Sequence, residues 1–140
     1  MIATPSMNAP TVTPRTPDGD DAPFTDPWCQ AARRAGLAPW VYEVAADRLT
    51  WSTELHGGLG YPQLPSAPTV RWWMTQLHPE DAPHAALTYD AVGAGRLEEW
   101  SLPYRLKRAD GGWATVTDIG HAIRDDAGQL VRLVGYVVFR

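Results

Sequence analysis

The fold is decided by three stretches in which apolar and polar residues alternate: WSLPYRLKR at 100–108, WATVTDIGHAI at 113–123 and LVRLVGYVVF at 130–139. Alternation with a period of two is typical of β-strands, because successive side chains point to opposite faces of a sheet. The intervening segments, ADGG at 109–112 and RDDAG at 124–128, contain the Asp and Gly residues that hairpin turns favour. The pattern predicts an antiparallel meander of three strands.

Two shorter strands are predicted upstream, WVYEVA at 40–45 and LTWS at 49–52, with a turn at 46–48. Between these strands and the meander we expect three helices. They are a short helix at 54–60 with Ser52 or Thr53 as N-cap, a short helix at 70–76 with Thr69 as N-cap, and a longer helix at 82–92 that GAG at 93–95 ends. This order predicts an α+β fold, a five-stranded antiparallel sheet with short helices and one longer helix on one face.

The chain divides into three parts by composition. Residues 1–25 are rich in Pro and Thr, which predicts a disordered tail, because such a stretch buries too little apolar surface to offset the entropy of ordering it. Residues 26–38 hold a predicted N-terminal cap helix at 28–34, with Asp26 as N-cap and Pro27 in the first turn. Residues 39–140 form the predicted folded domain.

Composition excludes several classes of function. The formal net charge is −4, which argues against a nucleic-acid or anionic-membrane surface. The single cysteine, Cys29, rules out an internal disulfide and fits a reducing compartment. There is no run of eighteen apolar residues and no secretory signal, so we expect a cytoplasmic protein without a membrane span.

A series of short motifs, taken in order, resembles a PAS domain over about residues 39–139. The motifs are Trp51-Ser52, Leu59-Gly60-Tyr61, Trp72-Trp73, His78-Pro79-Glu80-Asp81, Tyr104-Arg105, Asp110-Gly111, Arg124–Gly128 and Gly135. The His-Pro-Glu-Asp segment is similar to the PAS subclass that begins its long helix with these residues. The resemblance implies a sensory or dimerisation module that carries no catalysis of its own. Since no output domain follows in this sequence, we expect the signal to leave through an effector or regulatory protein in trans.

The resemblance also implies a ligand cavity between the inner face of the sheet and the helix at 82–92. The lining predicted for it is largely apolar and suits a small hydrophobic or aromatic ligand, although a well-packed core without any ligand explains the same stripe of residues. The predicted ligand-binding residues are His84, Leu87, Leu102, Tyr104, Leu106, Val116, Leu133 and Val137.

The other face of the meander is apolar as well, so it also needs a cover. A second copy of the chain, the helix that carries Trp28, or both would provide it, and PAS domains often dimerise in this way. We therefore expect a homodimer, with a monomer covered by the Trp28 helix as the alternative. The predicted interface consists of Trp28, Trp113, Ile119, Ile123, Val134, Tyr136 and Val138.

His84 raises a second possibility for the cavity. Haem-binding PAS domains carry their axial histidine on this helix at a similar offset, so the alternative function is a haem-based gas sensor with His84 as the ligand. Flavin photochemistry is not expected, because light-sensing relatives keep a reactive cysteine in the helix before His78, and that segment has none. Cys29 lies outside it.

The sequence does not predict metal binding, phosphate binding or catalysis. His78, Glu80, Asp81 and His84 superficially resemble a metal cluster, but helix capping and the family pattern explain them, so no metal is predicted. The glycines at 57, 58 and 60 lack the Lys and the strand–helix context of a phosphate loop. No paired carboxylates or catalytic triad are evident, so no catalytic residues and no enzyme activity are predicted.

Overall fold

The computed structural model describes residue 24 and residues 27–63 and 68–140. Its elements in chain order are α1 (Pro27–Arg34), β1 (Ala38–Glu43), β2 (Arg48–Trp51), α2 (Thr53–Gly58), α3 (Val70–Gln76), α4 (Ala82–Gly93), β3 (Glu99–Lys107), β4 (Trp113–Arg124) and β5 (Leu130–Phe139). The predicted tail at 1–25 lies outside the described residues except for Phe24. The predicted α+β fold is confirmed.

All five strands form one antiparallel sheet with the order β2-β1-β5-β4-β3. The meander β3–β4–β5 follows the alternation of its sequence, and the last strand then pairs with β1 in the middle of the sheet. β3 is an edge strand, which accommodates Pro103, a residue without a backbone N–H to donate to a neighbouring strand.

The short helices begin where the capping residues predict. The Ser52 side chain accepts a hydrogen bond from the backbone N–H of Leu55 at the start of α2, and the Thr69 side chain accepts one from Trp72 at the start of α3. After α1 the chain turns at Gly36, whose φ of 79° is in the left-handed region that glycine adopts most easily.

The start of α4 differs from the expectation. Asp81 occupies the N-cap position but makes no capping hydrogen bond. Its carboxylate accepts hydrogen bonds from the backbone N–H and the guanidinium of Arg105 on β3, at 2.9 to 3.0 Å. The explanation of this turn by capping is therefore wrong, because a charged partner on the sheet competes for the same carboxylate. The contact holds the start of α4 against β3.

The sheet separates two apolar clusters of unequal size. On the inner face the sheet packs against α2, α3 and α4, and the larger cluster includes four tryptophans: Trp40, Trp51, Trp73 and Trp100. On the outer face lies a smaller cluster built around Phe24, Cys29, Val41 and Val134, which α1 covers. No helix in the described ranges is long and apolar enough to cross a membrane.

Candidate functional site

Two glycines in the middle of the sheet make room for two tryptophans over its inner face. Gly135 of β5 pairs with Gly120 of β4, and Trp40 and Trp100 stand beside them on the flanking strands. A Cβ at Gly135 would come within 2.5 Å of the Trp40 ring, and a Cβ at Gly120 within 2.5 Å of the Trp100 ring. The two indoles stack with centroids 6.3 Å apart. The rings therefore occupy the space that side chains at the two glycines would need.

The carboxylate of Asp118 on β4 is buried beside these rings, with 1% of the residue exposed. Trp40 Nε1 donates a hydrogen bond to Oδ1 at 2.7 Å. The hydroxyls of Tyr89 and Tyr104 donate to Oδ2 at 2.9 and 3.1 Å. Because the three donors come from β1, α4 and β3, one carboxylate connects three elements of the fold.

The electrostatics of this group are dominated by burial. Burial raises the pKa of Asp118 to about 6, although the hydrogen bonds from Tyr89, Trp40 and Tyr104 favour the charged form and oppose the rise. All of these donors are neutral, so they provide no counter-charge. Burial, reinforced by the neighbouring carboxylate, also raises the pKa of Tyr89 and Tyr104 well above the ordinary value, which keeps both hydroxyls protonated.

A fourth donor near the carboxylate lacks a partner. Trp100 Nε1 is buried without an acceptor in hydrogen-bonding geometry. It is nevertheless close enough to Asp118 to contribute to lowering the pKa of that group. An unpaired buried donor costs about 1–3 kcal/mol. The surroundings of Asp118 therefore contain more N–H and O–H groups than the carboxylate accepts.

Asp118 also lines the inner cavity, whose volume is about 30 Å³. This volume holds one or two water molecules, whereas pockets for small organic ligands typically measure about 300–1,000 Å³. The lining is mostly aromatic and aliphatic, and consists of Trp40, Tyr42, Leu49, Trp51, Leu55, Val70, Trp73, Tyr89, Tyr104, Leu106, Asp118, Leu133 and Val137. In this conformation the large side chains fill most of the space between the sheet and the helices.

The structure brings together some of the predicted ligand-binding residues but not all. Four of the eight line the cavity: Tyr104, Leu106, Leu133 and Val137. Leu102 and Val116 are buried in the same core but do not line it. His84 and Leu87 lie on the solvent side of α4, with 68% of Leu87 exposed. The prediction that these two residues line the cavity is wrong.

The helical period explains the misplacement. α4 turns its inner face to the sheet through Ala85, Tyr89 and Val92, which are four and three residues apart. His84 and Leu87 are three residues apart on a different face. The hydrophobicity of Leu87 suggested burial, but the spacing of the residues on the inner face was the better guide.

Neither haem nor flavin fits the residues around the cavity. His84 faces solvent, so its imidazole cannot serve as an axial ligand inside the fold. The space for a flavin ring is occupied by aromatic side chains, among them Trp40 and Trp73. Cys29 belongs to α1 and is buried against the opposite side of the sheet. These positions give no basis for chemistry through either group.

The residues of the superficial metal cluster have other contacts. His78 Nδ1 accepts a hydrogen bond from the backbone N–H of Glu80, and its ring lies 4.7 Å from that of Trp113. Asp81 binds Arg105, and His84 lies on the solvent side of α4. In the part of the chain that the structure describes, no three His, Cys, Asp or Glu side chains gather in a way that would hold a metal ion.

The described residues cover only part of the outer face of the sheet. Trp28 of α1 lies over β4 and β5, with its ring centroid 5.3 Å from His121 and 5.8 Å from Tyr136. Beside α1 is an open groove of about 500 Å³, lined by Trp28, Glu99, Trp100, Ser101, Ile119, Gly120, His121 and Tyr136. In this groove, apolar and polar side chains of β3, β4 and β5 are exposed to solvent.

The predicted interface residues fall into three groups. Trp28, Val134 and Ile123 belong to the small cluster under α1. Ile119, Tyr136 and Val138 are half-buried, and the first two line the groove. Trp113 is 41% exposed and packs against His78, so it lies apart from the groove. The association of two chains through these residues stays a prediction.

Sequence reasoning missed the residues that give the cavity its polar character, Asp118 and Tyr89. The signal for Asp118 was the alternation of β4, since an inward Val116 requires position 118 to point inward as well. Because Asp118 is polar, only the apolar residues on the same face were predicted to line the cavity. The signal for Tyr89 was its spacing from Ala85 and Val92 on α4. Both residues were therefore detectable from periodicity.

Fold and cavity together define a class, an α+β domain whose single antiparallel sheet and short helices enclose a small interior site. A family model described as PAS fold matches residues 48–137, well over half of the chain. The chain belongs to the PAS family, whose members are sensory domains. The narrower subclass with the His-Pro-Glu-Asp start stays a prediction.

Solved structures agree with this assignment. The chain is 26% identical to the N-terminal domain of a diguanylate cyclase with PAS/PAC sensor from Marinobacter aquaeolei, with a TM-score of 0.65 over 74% of this chain and 94% of that one. A sensory box histidine kinase/response regulator from Burkholderia thailandensis is 21% identical, with a TM-score of 0.67 over 81% of this chain and 84% of that one.

A light-oxygen-voltage domain, solved with a flavin analogue, is 17% identical, with a TM-score of 0.68 over 84% of this chain and 87% of that one. At such identities the last two similarities establish the fold alone. A comparison with curated proteins gives no significant match.

Proposed function

We propose that this chain is a cytoplasmic sensory and interaction module that performs no catalysis itself and signals through contacts with another protein chain. The proposal includes a homodimer formed through the outer face of the sheet. The observation that carries it is the half-covered outer face, where Ile119 and Tyr136 line an open groove beside α1. An apolar sheet face left next to a single short helix is the kind of surface that a second chain covers.

The inner cavity is the proposed site for a small ligand. Its mostly aromatic and aliphatic wall supports the apolar ligand expected from the sequence, but its volume of about 30 Å³ requires side chains to move before anything larger than water enters. Binding would then shift the packing of the strands and alter the outer surface. Native mass spectrometry of the purified protein tests this part, and a co-purifying small molecule lost on unfolding is the expected result.

Light scattering at several concentrations tests the dimer. The wild-type chain should approach twice its monomer mass as concentration rises, and Ile119→Arg should remain a monomer, because the substitution places a charge in the middle of the proposed interface. Leu87→Arg is the matched control, since Leu87 is equally apolar but lies 68% exposed on α4, away from that face. It should dimerise like the wild type.

A wild-type chain that stays monomeric at all concentrations would overturn the homodimer. An equal loss of dimer in both variants would assign the effect to added charge rather than to the outer face. Circular dichroism of each variant distinguishes either result from unfolding.

A further inference from the structure

The contact between Tyr89 and Asp118 is a polar connection between the middle of α4 and the sheet. The fully buried side chains of α4 are small, Ala85 and Val92. Tyr89 lies between them, and its hydroxyl group donates a hydrogen bond to Oδ2 of Asp118 at 2.9 Å. A hydrogen bond to a charged acceptor is roughly twice as strong as a hydrogen bond between neutral groups. The position of α4 therefore depends on the charge of one buried group.

We propose that Asp118 is a proton-operated switch that sets how firmly α4 is held to the sheet. The ionised carboxylate has no hydrogen to donate, so it only accepts hydrogen bonds, from Trp40 at Oδ1 and from Tyr89 and Tyr104 at Oδ2. Once one oxygen carries a proton, that O–H must itself donate, and the tyrosine hydroxyl facing it turns its own hydrogen away. The bond between Tyr89 and Asp118 weakens while the neutral carboxyl group stays buried, so α4 gains freedom relative to β4 without the exposure of Asp118 that unfolding brings.

The pH range in which this occurs follows from the surroundings of the group. Among the described residues, the titratable side chains that face Asp118 are Tyr89 from α4 and Tyr104 from β3, and both keep their protons at neutral pH. Trp40 and Trp100 contribute N–H groups that do not titrate. Since burial raises the pKa of Asp118 to about 6, a modest acidification from neutral pH is enough to change its charge.

The inference rests on the proposed function, because it names a stimulus for the same module. β4 carries Asp118 on its inner face and, one residue further, Ile119 in the outer groove. A change in the packing of β4 would therefore reach both faces of the sheet. The proton would act on the surface proposed to contact a second chain.

NMR spectra of the full chain between pH 5 and 7.5 test the switch. We expect amide signals of residues 89–93, the part of α4 more than one turn beyond His84, to move with a single midpoint near pH 6, together with the carboxyl carbon signal of Asp118. Asp118→Asn should abolish this titration, because its amide cannot ionise. In Tyr89→Phe the carboxyl carbon should still titrate while the α4 amides no longer follow it.

Asp90→Asn is the matched control, since it removes an exposed carboxylate from the same helix and should leave the titration intact. Histidine side chains ordinarily change charge in this pH range as well. A titration that persists in Asp118→Asn would assign the effect to a histidine and overturn the proposal, as would α4 signals that do not move in the wild type. If Asp118→Asn does not fold, the wild-type carboxyl signal and Tyr89→Phe still decide. The light-scattering result is independent, so failure of the switch leaves the proposed dimer standing.

Discussion

Both faces of the sheet show the same alternation of apolar residues, but they differ in which helices cover them and how completely. The inner face is covered by α2, α3 and α4, and its rings converge on Asp118, which is bonded by three elements. Among the residues that the structure describes, the outer face is covered by Phe24 and by α1, an eight-residue helix, and a groove of about 500 Å³ lies beside α1.

The difference shows that an apolar stripe predicts burial without predicting what covers it. On the inner face the cover is supplied by the chain itself, and large side chains leave a cavity of only about 30 Å³. On the outer face α1 contributes few buried residues, Cys29 and Ala32. Substitutions on the inner face should therefore reduce stability strongly, whereas the packing of α1 on the outer face can adjust to a substitution there.

The largest effect is expected from Gly135→Val on the inner face. The new side chain would meet the Trp40 ring at about 2.5 Å, and the backbone oxygen of Ile119 as well. Overpacking of this kind costs about 3 kcal/mol or more, because neither neighbour can withdraw without moving the sheet. Urea unfolding followed by tryptophan fluorescence measures the loss.

Gly57→Ala is the control for Gly135→Val. Nothing lies within 4 Å of a Cβ at Gly57, and replacing glycine in a helix favours folding by up to about 1 kcal/mol. A Gly135→Val protein as stable as the wild type would show that the rings over the glycine row are not rigidly held.

The second effect concerns the pH dependence of stability. The pKa of Asp118 is about 6 in the folded protein, against 3.8 for an ordinary aspartate, so the folded state binds this proton more tightly than the unfolded state. Its contribution to stability is complete below pH 4 and is lost as pH rises through 6. At about 1.4 kcal/mol per pH unit, the loss amounts to about 3 kcal/mol.

Asp118→Asn isolates this contribution. Asp81 and Glu98 have lowered pKa values, mainly because of Arg105 and Arg124, and they act in the opposite direction. The difference in unfolding free energy between wild type and variant cancels these groups. It should change by about 3 kcal/mol between pH 4 and 7, in the sense that the wild type loses relative stability as pH rises. A difference that is constant with pH would contradict the buried-carboxylate account.

A pair of valines on β5 compares the two faces directly. Val137 is 2% exposed on the inner face and Val134 is 4% exposed on the outer face. Val137→Ala should cost about 2 kcal/mol, because the rigid core leaves the space of the lost methyl groups empty. Val134→Ala should cost about 1 kcal/mol, because α1 can move into that space. Equal losses in chemical denaturation would show that α1 is as firmly packed as the core.

The sequence predicted the strands of the meander to within one residue at each end, because turn chemistry and alternation agreed with each other. It placed Thr69 as one helix cap and narrowed the other to Ser52 or Thr53, of which the structure has Ser52, since capping is a local property. The assignment of residues to the two faces of β3, β4 and β5 followed from this alternation together with the register that the PAS resemblance implies.

The site was predicted less well because it depends on contacts distant in the chain. The hydrogen bond from Trp40 to Asp118 joins residues 78 positions apart, and that from Tyr89 joins residues 29 apart. The pattern of residues within a single strand or helix does not predict hydrogen bonds between residues so far apart in the chain. His84 was chosen because haem-binding PAS domains carry an axial histidine at a similar offset, and Leu87 as an apolar residue of the same helix, whereas the face of α4 that meets the sheet is set by how the helix packs.

The smallest expected effect concerns the ion pair that connects α1 to α2. Arg33 contacts Glu54 at 3.2 Å. Burial raises the pKa of Glu54, but a hydrogen bond from its own backbone and the contact with Arg33 outweigh burial and lower this pKa overall. Because 44% of the Glu54 side chain is exposed, Glu54→Gln should cost only about 0.5 kcal/mol, and added salt should reduce the difference. Unfolding by urea at low and high salt measures it, with Glu80→Gln, whose side chain is 76% exposed, as the comparison. A loss above about 1.5 kcal/mol would mean that α1 is held to the domain by this charge pair, and that the outer face is closed more firmly than its apolar contacts indicate.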